Sequence, residues 1–360
     1  MRLAFMVYGH LGLISGGFLY DRILVDYLGR RGVKVEVVTL PWRQFPGGGL
    51  LGNFAPDLLR RLKGLKADLV VQDELAHPSL ILGNRLLGRQ PSLPIVSLVH
   101  NLRSSEAHPP VRKWLYRQME RLYLTGVRGF IYSSEATRQS VEALVGRGRP
   151  GVVAYPGGNR FTRSLTREEI LARCRKSGPL RLIFLGSVIP RKGLHILLEA
   201  LESLPPEGWC LTVVGQLDWS PAYVAAIRKR ICQQGWALKV KFTGLLIGEE
   251  VGYHLARSDL LVVPSFYEGF GMAYLEGMAF GLPAVATSAG GARELITPGK
   301  DGFLLTPGDA RTLARHLETL MRDRRLLCQM SLAARERYER HPTWEESCEA
   351  IFRFLKEMRG

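Results

Sequence analysis

The chain of 360 residues is long enough to form two domains, each with its own hydrophobic core. Hydrophobic residues make up 46% of it and charged residues 23%, a composition typical of an ordinary globular protein that excludes a largely disordered chain. The net charge is +16, and residues 1–160 contribute +11 of it, from 22 Lys and Arg against 11 Asp and Glu. This charge favours a partner that carries phosphate: a nucleic acid, an anionic lipid or a phosphorylated substrate.

The cysteine and histidine patterns indicate neither a metal site nor a disulfide framework. The five cysteines form no C-x-x-C pair, and no Cys and His residues stand at metal-ligand spacing. They are Cys174, Cys210, Cys232, Cys328 and Cys348. No apolar run reaches the roughly 18 residues of a membrane span, and the apolar N-terminus fits a first strand better than a signal peptide. We therefore expect a cytoplasmic protein with reduced thiols and no bound metal.

The chain opens with a predicted strand, helix and strand at residues 3–8, 18–30 and 33–40. The glycines between the first strand and the helix do not spell G-x-G-x-x-G, so the dinucleotide-binding fingerprint is absent. By themselves, Gly16 and Gly17 indicate a plain tight turn.

Residues 41–56 are rich in Gly and Pro and predict a loop over a cleft, with Trp42 and Phe45 exposed or in contact with an acceptor. Further strands are predicted at residues 68–72 and 95–100. The second of these ends in His100, at the carboxyl edge of the predicted sheet. A lone histidine at such a position is more often a packed or capping residue than a functional one.

A helix predicted at residues 109–125 combines basic and aromatic side chains. Its cations are Arg112, Lys113, Arg117 and Arg121, and its aromatic residues include Trp114, Tyr116 and Tyr123. One interpretation is a solvated basic face with the aromatic residues packed inward. The other, which we favour slightly, is reversible docking on an anionic membrane.

Residues 161–179 are charged, carry no strand pattern and end in Ser-Gly-Pro, which predicts a linker between two domains. A strand at residues 180–186 then begins a second strand, loop and helix unit. Arg191 and Lys192 directly precede Gly193 and the apolar stripe of that helix. Exposed cations are common on helices, but they are disfavoured at a helix N-terminus, so their presence indicates a bound anion.

Residues 262–283, VVPSFYEGFGMAYLEGMAFGLP, predict a strand, a glycine loop and a helix. At the carboxyl edge of a parallel sheet, the helix N-terminus offers N–H groups to an anion such as phosphate. Glu268 and Glu276 flank this site, and hydrogen bonds to the hydroxyls of a ribose and a sugar are a use for them. As two isolated glutamates they could equally be helix-start acids that interact with the dipole.

The same stretch resembles the nucleotide-sugar signature of the retaining glycosyltransferases of family four. The resemblance rests on Pro-Ser, Glu-Gly-Phe-Gly, Leu-Glu-Gly-Met-Ala and Gly-Leu-Pro, and on Gly290, Gly291 and Glu294, which match a Gly-Gly-x-x-Glu turn. It implies an α/β protein of the GT-B fold, with two Rossmann-like doubly wound domains that face each other across a cleft. The predicted domains are 1–160 on the acceptor side, the linker 161–179, 180–342 for the nucleotide sugar, and a helix at 343–360 that returns to the first domain.

The resemblance also implies roles for individual residues. Donor-phosphate contacts are expected from Gly16, Gly17, Arg191, Lys192 and the N–H groups near Phe270, Gly271 and Met272. Glu276 would bind the ribose diol and Glu268 the hydroxyls of the donor sugar, with His100 against the transferred sugar. Relatives commonly have Asp beside that histidine, where this chain has Asn101, and Arg after the strand-end glycine, where it has Ser187. Either Arg191 substitutes for that arginine or the diphosphate site has one cation fewer.

The implied activity is transfer of a sugar, with retention of configuration, from a UDP- or GDP-linked donor to a hydroxyl acceptor. A glycolipid, a lipid-linked glycan and an envelope polysaccharide precursor are the expected acceptors. No cofactor is implied beyond the donor substrate. A sugar-nucleotide epimerase or a GT-B phosphorylase could use a similar frame. A nucleic-acid-binding protein would explain the charge but not the paired carboxylates, so no nucleic-acid partner is expected.

Overall fold

The computed structural model describes residues 1–41, 56–87 and 93–360. It forms two compact units. The first combines Met1–Gly157 with Pro342–Gly360, and the second comprises Gly158–His341. The loop predicted at residues 41–56, with Trp42 and Phe45, lies outside the described residues except at its two ends.

Helices follow most of the strands along the chain. In order, they are α1 (Gly16–Arg30), α2 (Pro56–Lys63), α3 (His77–Leu87), α4 (Pro110–Leu124), α5 (Glu135–Val145), α6 (Arg167–Cys174), α7 (Leu194–Glu202), α8 (Pro221–Gln233), α9 (Glu249–Ala256), α10 (Met272–Ala279), α11 (Ala292–Leu295), α12 (Ala310–Arg322), α13 (Arg324–Glu339) and α14 (Trp344–Arg359). Among the residues described, none of these helices is both long enough and apolar enough to span a bilayer.

The described part of the first unit contains a six-stranded parallel sheet. Its strands are β1 (Arg2–Tyr8), β2 (Lys34–Leu40), β3 (Leu69–Asp73), β4 (Ile95–Val99), β5 (Gly129–Tyr132) and β6 (Gly151–Val153), in the order β2-β1-β3-β4-β5-β6. β3, β4 and β5 are buried along their whole length, as expected for parallel strands covered on both faces. The order reverses between β1 and β3, so the connections after these strands diverge and leave a crevice between them.

The C-terminal helix α14 packs on α1 within the first unit. The Tyr27 hydroxyl on α1 donates to Glu349 at 2.6 Å, and the rings of Tyr20 and Trp344 meet edge to face at 5.3 Å. A capping box formed by Thr343 and Glu346 fixes the start of α14. The prediction of a helix from Trp344 onward is confirmed.

The second unit repeats the architecture with strands β7 (Leu180–Leu185), β8 (Trp209–Val214), β9 (Val240–Gly244), β10 (Leu260–Val263), β11 (Ala284–Thr287) and β12 (Gly302–Leu305). They form a parallel sheet in the order β12-β11-β10-β7-β8-β9. The order reverses between β7 and β10. The loops that follow these two strands are therefore the ones that flank the crevice of this unit.

The stretch predicted as a linker, residues 161–179, differs from that prediction. It contains helix α6, which packs against α13 in the second unit, and the two units are delimited at Gly157 and His341 instead. One of the charged residues in this stretch, Arg173, is buried, with only 5% of its surface exposed. Its guanidinium donates to the carbonyls of Phe280 at 2.7 Å and Gly281 at 2.6 Å, at the C-terminal end of α10. This anchors α6 to the helix of the predicted donor site.

We predict that Arg173→Ala lowers the free energy of unfolding of the second unit by about 3 kcal/mol, because two buried carbonyls lose a charged donor. Urea denaturation measures this loss. Arg175→Ala, an exposed arginine one residue past the same helix, is the matched control and should change stability by less than about 0.5 kcal/mol. Equal losses in the two variants would contradict a structural role for Arg173.

Candidate functional site

The signature loop, residues 264–271, connects β10 to helix α10 in the second unit. Gly271 ends the loop with φ +99° and directly precedes the first turn of α10. A Cβ atom on this residue would lie 2.4 Å from the ring of Tyr274, so only glycine fits. The first N–H groups of α10 therefore follow a tightly constrained turn, as an anion site at a helix N-terminus requires.

Gly290 and Gly291, in the segment after β11, pack directly against the backbone of this loop. A Cβ atom on Gly290 would lie 1.9 Å from the carbonyl oxygen of Glu268, and one on Gly291 would lie 2.4 Å from that of Gly269. The Gly291 N–H donates to the Glu268 carbonyl at 2.9 Å. The paired glycines thus allow two backbone segments to touch, which gives this part of the family motif a structural reason.

Glu268 is a buried carboxylate held by cations. Lys192 donates to its Oε1 at 2.6 Å, the Ser265 hydroxyl donates to the same oxygen at 2.5 Å, and Arg191 Nη1 lies 3.9 Å away. Burial alone would raise the pKa of Glu268, but the charges of Lys192 and Arg191 and the two hydrogen bonds bring it below its usual value. Glu268 is therefore ionised at neutral pH.

Glu276 lies on α10 and pairs with Arg160, whose Nη1 donates to its Oε1. Its side chain is also buried, and burial raises its pKa in spite of the opposing charges of Arg160 and Lys192. The two glutamates thus differ electrostatically, because Glu268 has two cations and a hydroxyl around it while Glu276 has one close cation. The pKa values of the two carboxyl groups are therefore shifted in opposite directions.

Arg191 and Lys192 lie in a 3-10 turn, Pro190–Lys192, that follows β7. Arg191 Nη1 donates to the carbonyl of Tyr267 at 2.7 Å, and the Phe266 N–H donates back to the Arg191 carbonyl at 2.8 Å. These bonds connect the loop after β7 to the signature loop after β10. The structure thereby brings Arg191, Lys192, Glu268 and the start of α10 together, as predicted.

Gly16, Gly17 and His100 meet in the first unit. Helix α1 begins at Gly16, two residues before the predicted start, because the Ser15 hydroxyl caps it by accepting from the Phe18 N–H at 3.3 Å. A Cβ atom on Gly17 would lie 3.2 Å from Cδ2 of His100. The second glycine therefore lets the start of α1 approach the imidazole.

His100 is held by acidic residues that the sequence analysis did not identify. Its Nε2 lies 2.9 Å from Oδ1 of Asp21, and its backbone N–H donates to Glu74 at 2.8 Å. Asn101, which occupies the position of the usual aspartate, donates to Glu106 at 2.9 Å instead. Burial lowers the pKa of His100, and the nearby charge of Asp73 opposes this effect. The lowered pKa favours the neutral imidazole, and Asp21 is its carboxyl partner.

Sequence reasoning missed Asp21, Asp73, Glu74, Arg160 and Ser265. A signal existed for Asp21, since it lies on the buried stripe of α1 with Phe18, Leu24 and Leu28, where an apolar residue is expected. Asp73 and Glu74 follow the apolar strand β3, at the carboxyl edge of the sheet. Ser265 belongs to the Pro-Ser motif, but its hydrogen bond to Glu268 was not predicted, and nothing local distinguishes Arg160.

Within the described ranges, one group of side chains has the spacing of a metal site: Asp21, Asp73 and His100, with one ligand atom of each within 4.8 Å of the others. No comparable group surrounds Glu268 or Glu276 in the part of the chain that the structure describes.

Comparison with known proteins identifies the family. A model described as "Glycosyl transferases group 1" matches residues 167–337, and one described as "Glycosyl transferase 4-like domain" matches residues 20–157. The chain is similar to a GDP-mannose-dependent alpha-mannosyltransferase of Mycobacterium tuberculosis, with 28% identity over 91% of this chain and 83% of the relative. Glycogen synthase of the same organism is 28% identical over 79% of this chain and 67% of its own length.

Solved structures agree on the fold. The crystal structure of HepE from Anabaena, in complex with UDP and glucose, matches with a TM-score of 0.77 and 23% identity, covering 99% of both chains. The two family models together cover most of the chain, one in each unit. The chain therefore belongs to the family-four glycosyltransferases, has the GT-B fold, and is a glycosyltransferase.

Proposed function

We propose that the protein transfers a sugar from a nucleoside-diphosphate sugar to a hydroxyl group of an acceptor. The observation that carries this proposal is Glu268, a buried carboxylate kept ionised by Lys192 beside the first turn of α10. A helix N-terminus and two cations attract a diphosphate. A carboxylate in the same place repels phosphate and accepts hydrogen bonds from hydroxyls. A diphosphate joined to a sugar satisfies both requirements.

In the proposed donor site, Lys192 and Arg191 stabilise the diphosphate together with the N–H groups near Phe270, Gly271 and Met272. An ammonium group has three N–H donors, and Lys192 gives one of them to Glu268 at 2.6 Å. No other side-chain hydrogen bond of this ammonium group is present among the described residues, and we assign its other two N–H groups to phosphate oxygens. With Ser187 after the strand-end glycine, Arg191 supplies the second cation, since it is already fixed to the signature loop by its bond to Tyr267.

The roles of the two glutamates follow from their surroundings. Glu276 lies on α10 itself, and we assign it to the ribose diol; Glu268, in the loop before that helix, is assigned to the hydroxyls of the donor sugar. Gly16 and Gly17 are assigned to the donor phosphates and His100 to the transferred sugar. HepE bound to UDP and glucose, and the mannosyltransferase named for GDP-mannose, support a UDP- or GDP-linked donor.

We further propose that transfer retains the anomeric configuration. The bond between the anomeric carbon and the diphosphate oxygen breaks while the acceptor oxygen bonds to the same face of that carbon. The departing phosphate takes the acceptor's proton, so the atoms balance without a separate base. The protein's contribution is then to position the two substrates and to stabilise charge on the leaving diphosphate.

The first test uses UDP, GDP and their sugars as probes of thermal stabilisation and of donor hydrolysis. At about 100 times Kd, the matching nucleotide should raise the melting temperature by roughly 5–10 °C. Glu276→Gln should weaken binding of the free nucleoside diphosphate by about tenfold, because a charged hydrogen-bond acceptor for the ribose becomes neutral. Glu268→Gln should spare that binding and lower kcat by about 100-fold.

Glu207→Gln, which neutralises an exposed glutamate of the second unit, is the control and should match the wild type in both measurements. Equal nucleotide affinities in Glu268→Gln and Glu276→Gln would contradict the assignment of Glu276 to the ribose and Glu268 to the donor sugar. The absence of stabilisation by any nucleoside diphosphate would reject the donor class.

We also propose that transfer needs no metal ion. The groups around Glu268 that face the proposed diphosphate are Lys192, Arg191 and helix N–H donors, which supply the positive charge that a divalent cation would otherwise provide. Turnover should therefore persist in excess EDTA. If activity disappeared with EDTA and returned with Mg²⁺ or Mn²⁺, the proposed diphosphate site would be wrong.

For the acceptor, we propose a glycolipid, a lipid-linked glycan or an envelope polysaccharide precursor, reached from the cytoplasmic face of a membrane. Helix α4 supports this. Arg112, Lys113, Arg117 and Arg121 are all exposed on it. Tyr116 and Tyr123 are buried, contrary to an interfacial role for them, but Trp114 is 61% exposed and Val111 81%. Exposed apolar residues among cations match the chemistry of an anionic lipid surface.

The membrane proposal predicts sedimentation with vesicles that contain anionic lipid and release by salt, because each basic residue contributes roughly 1 kcal/mol near such a surface. Replacing the four cations of α4 by Ser should abolish binding. Replacing Arg311, Arg315, Arg322 and Arg325 by Ser removes the same charge from exposed positions of the second unit and should leave binding intact. Equal binding to neutral and anionic vesicles would reject docking through α4.

A further inference from the structure

Two carboxyl groups in the first unit lie close together, and no Lys or Arg among the described residues pairs with either. Asp21, on α1, and Asp73, at the end of β3, are both fully buried. One carboxyl oxygen of each residue forms a hydrogen bond: Oδ1 of Asp21 lies 2.9 Å from Nε2 of His100, and Oδ1 of Asp73 accepts from the Leu75 N–H at 3.0 Å. The other oxygen of each, Oδ2, is buried and has no hydrogen-bond partner among the residues that the structure describes.

The two side chains lie close to each other and to the imidazole. One ligand atom from each of Asp21, Asp73 and His100 lies within 4.8 Å of the other two. Two buried carboxylates at this range cannot both be ionised without strong repulsion, and the usual resolution is that they share one proton. A shared proton also gives both orphaned oxygens a partner, because a protonated carboxyl donates to the carboxylate beside it.

We propose that Asp21 and Asp73 share one proton and act together as positioning residues for His100, with the negative charge on Asp21 accepting the Nε2–H of the imidazole. This rests on the proposed function, in which His100 contacts the transferred sugar. The neutral imidazole then carries its hydrogen on Nε2 and keeps Nδ1 as an acceptor for a sugar hydroxyl. A side chain that is 14% exposed can still meet such a ligand.

The neighbours of the pair favour this arrangement. Glu74 accepts the His100 N–H, and the ring of Tyr20 on α1 meets the imidazole edge to face at 5.1 Å. The other titratable groups nearby are Glu120 and Tyr123 on α4 and His77 on α3. The positive charge of Arg103 helps to lower the pKa of His77. Among the described residues, no Lys or Arg forms an ion pair with Asp21 or Asp73. Burial raises the pKa of both aspartates, so one proton is retained near neutral pH.

The rival occupant of the same three atoms is a divalent cation, since two carboxylates and an imidazole are common metal ligands. A metal would need both aspartates ionised and would replace the shared proton. Metal analysis of the purified protein therefore separates the two. Stoichiometric metal that is lost in Asp21→Asn would overturn the proposal.

The main experiment compares Asp21→Asn with Asp73→Asn. In Asp73→Asn, the amide N–H can donate to Asp21 in place of the shared proton, the amide oxygen can still accept from the Leu75 N–H, and the charge stays on Asp21. In Asp21→Asn, the charge moves to Asp73, away from Nε2. Asp21→Asn should therefore lower kcat about tenfold further than Asp73→Asn does, the loss expected when a charged acceptor becomes neutral.

Two readouts do not depend on turnover. The ¹⁵N shifts of His100, identified by their loss in His100→Gln, should show the Nε2–H tautomer in the wild type near pH 7. They should also show a titration, as the pair loses its proton, that is missing in Asp73→Asn. The melting temperature gives the second. An aspartate in the unfolded chain ionises near pH 4, whereas the folded pair keeps its proton to higher pH because its pKa is raised. The folded state therefore binds more protons in this pH range, and the free energy of unfolding falls as the pH rises towards the raised pKa. This fall should be smaller in Asp73→Asn.

Asp26→Asn, an exposed change on the same helix α1, is the control and should leave all three measurements unchanged. An imidazolium or an Nδ1–H tautomer in the wild type would overturn the proposal, as would equal kcat losses in two folded Asn variants. If the tautomer and the titration are as expected but His100→Gln turns over normally, the proposed sugar contact of His100 fails while the proton-sharing pair stands.

Discussion

The ion pair between Lys192 and Glu268 joins the two loops on which the second unit builds its site. Lys192 comes from the turn after β7 and Glu268 from the loop after β10, the strands at which the sheet order reverses. A buried carboxylate without a cation would be strongly unfavourable, so the loop conformation and the charge distribution depend on each other. Arg191 strengthens the connection through the Tyr267 carbonyl, and Gly290 and Gly291 let the backbone beneath come close enough to hold it.

Glu268 in the second unit and the pair Asp21 and Asp73 in the first are buried carboxyl groups whose pKa values are shifted in opposite directions. In the second unit, cations lower the pKa of Glu268, and the site carries a fixed negative charge beside its positive ones. In the first unit, no Lys or Arg among the described residues forms an ion pair with Asp21 or Asp73, and burial raises their pKa values. The first arrangement suits a site that must orient hydroxyls next to a diphosphate. The second suits a neutral imidazole whose hydrogen must stay on one nitrogen.

Helix α4 shows how packing divides residues that look alike in sequence. Tyr116 and Tyr123 face the core, where the Tyr123 hydroxyl donates to Ser97 at 3.0 Å. Arg112, one turn before Tyr116, donates its Nε–H to the Tyr116 hydroxyl at the same distance. Trp114 and Val111 remain on the outside among the cations. The basic and apolar surface that results is narrower than the sequence indicates, and it is the part of the helix available to a lipid surface.

The sequence by itself determined the fold class and most of the elements, because apolar periodicity and the positions of Gly and Pro act locally. Strands β1, β4 and β7 and helix α4 begin and end within one residue of their predicted bounds. The short strands β6 and β12 escaped prediction, since Gly151–Val153 and Gly302–Leu305 are three or four residues long and only partly buried. Helix α6 escaped because its charged sequence conceals a buried arginine.

The candidate residues Lys192, Glu268 and Glu276 could be selected from the sequence, since they stand in contiguous motifs. Their partners could not. Lys192 and Glu268 are 76 residues apart, His100 and Asp21 are 79 apart, and Arg160 and Glu276 are 116 apart. Only the tertiary structure decided these pairings, and with them which carboxylates are ionised, because protonation depends on burial and on neighbouring charges that chain order does not specify.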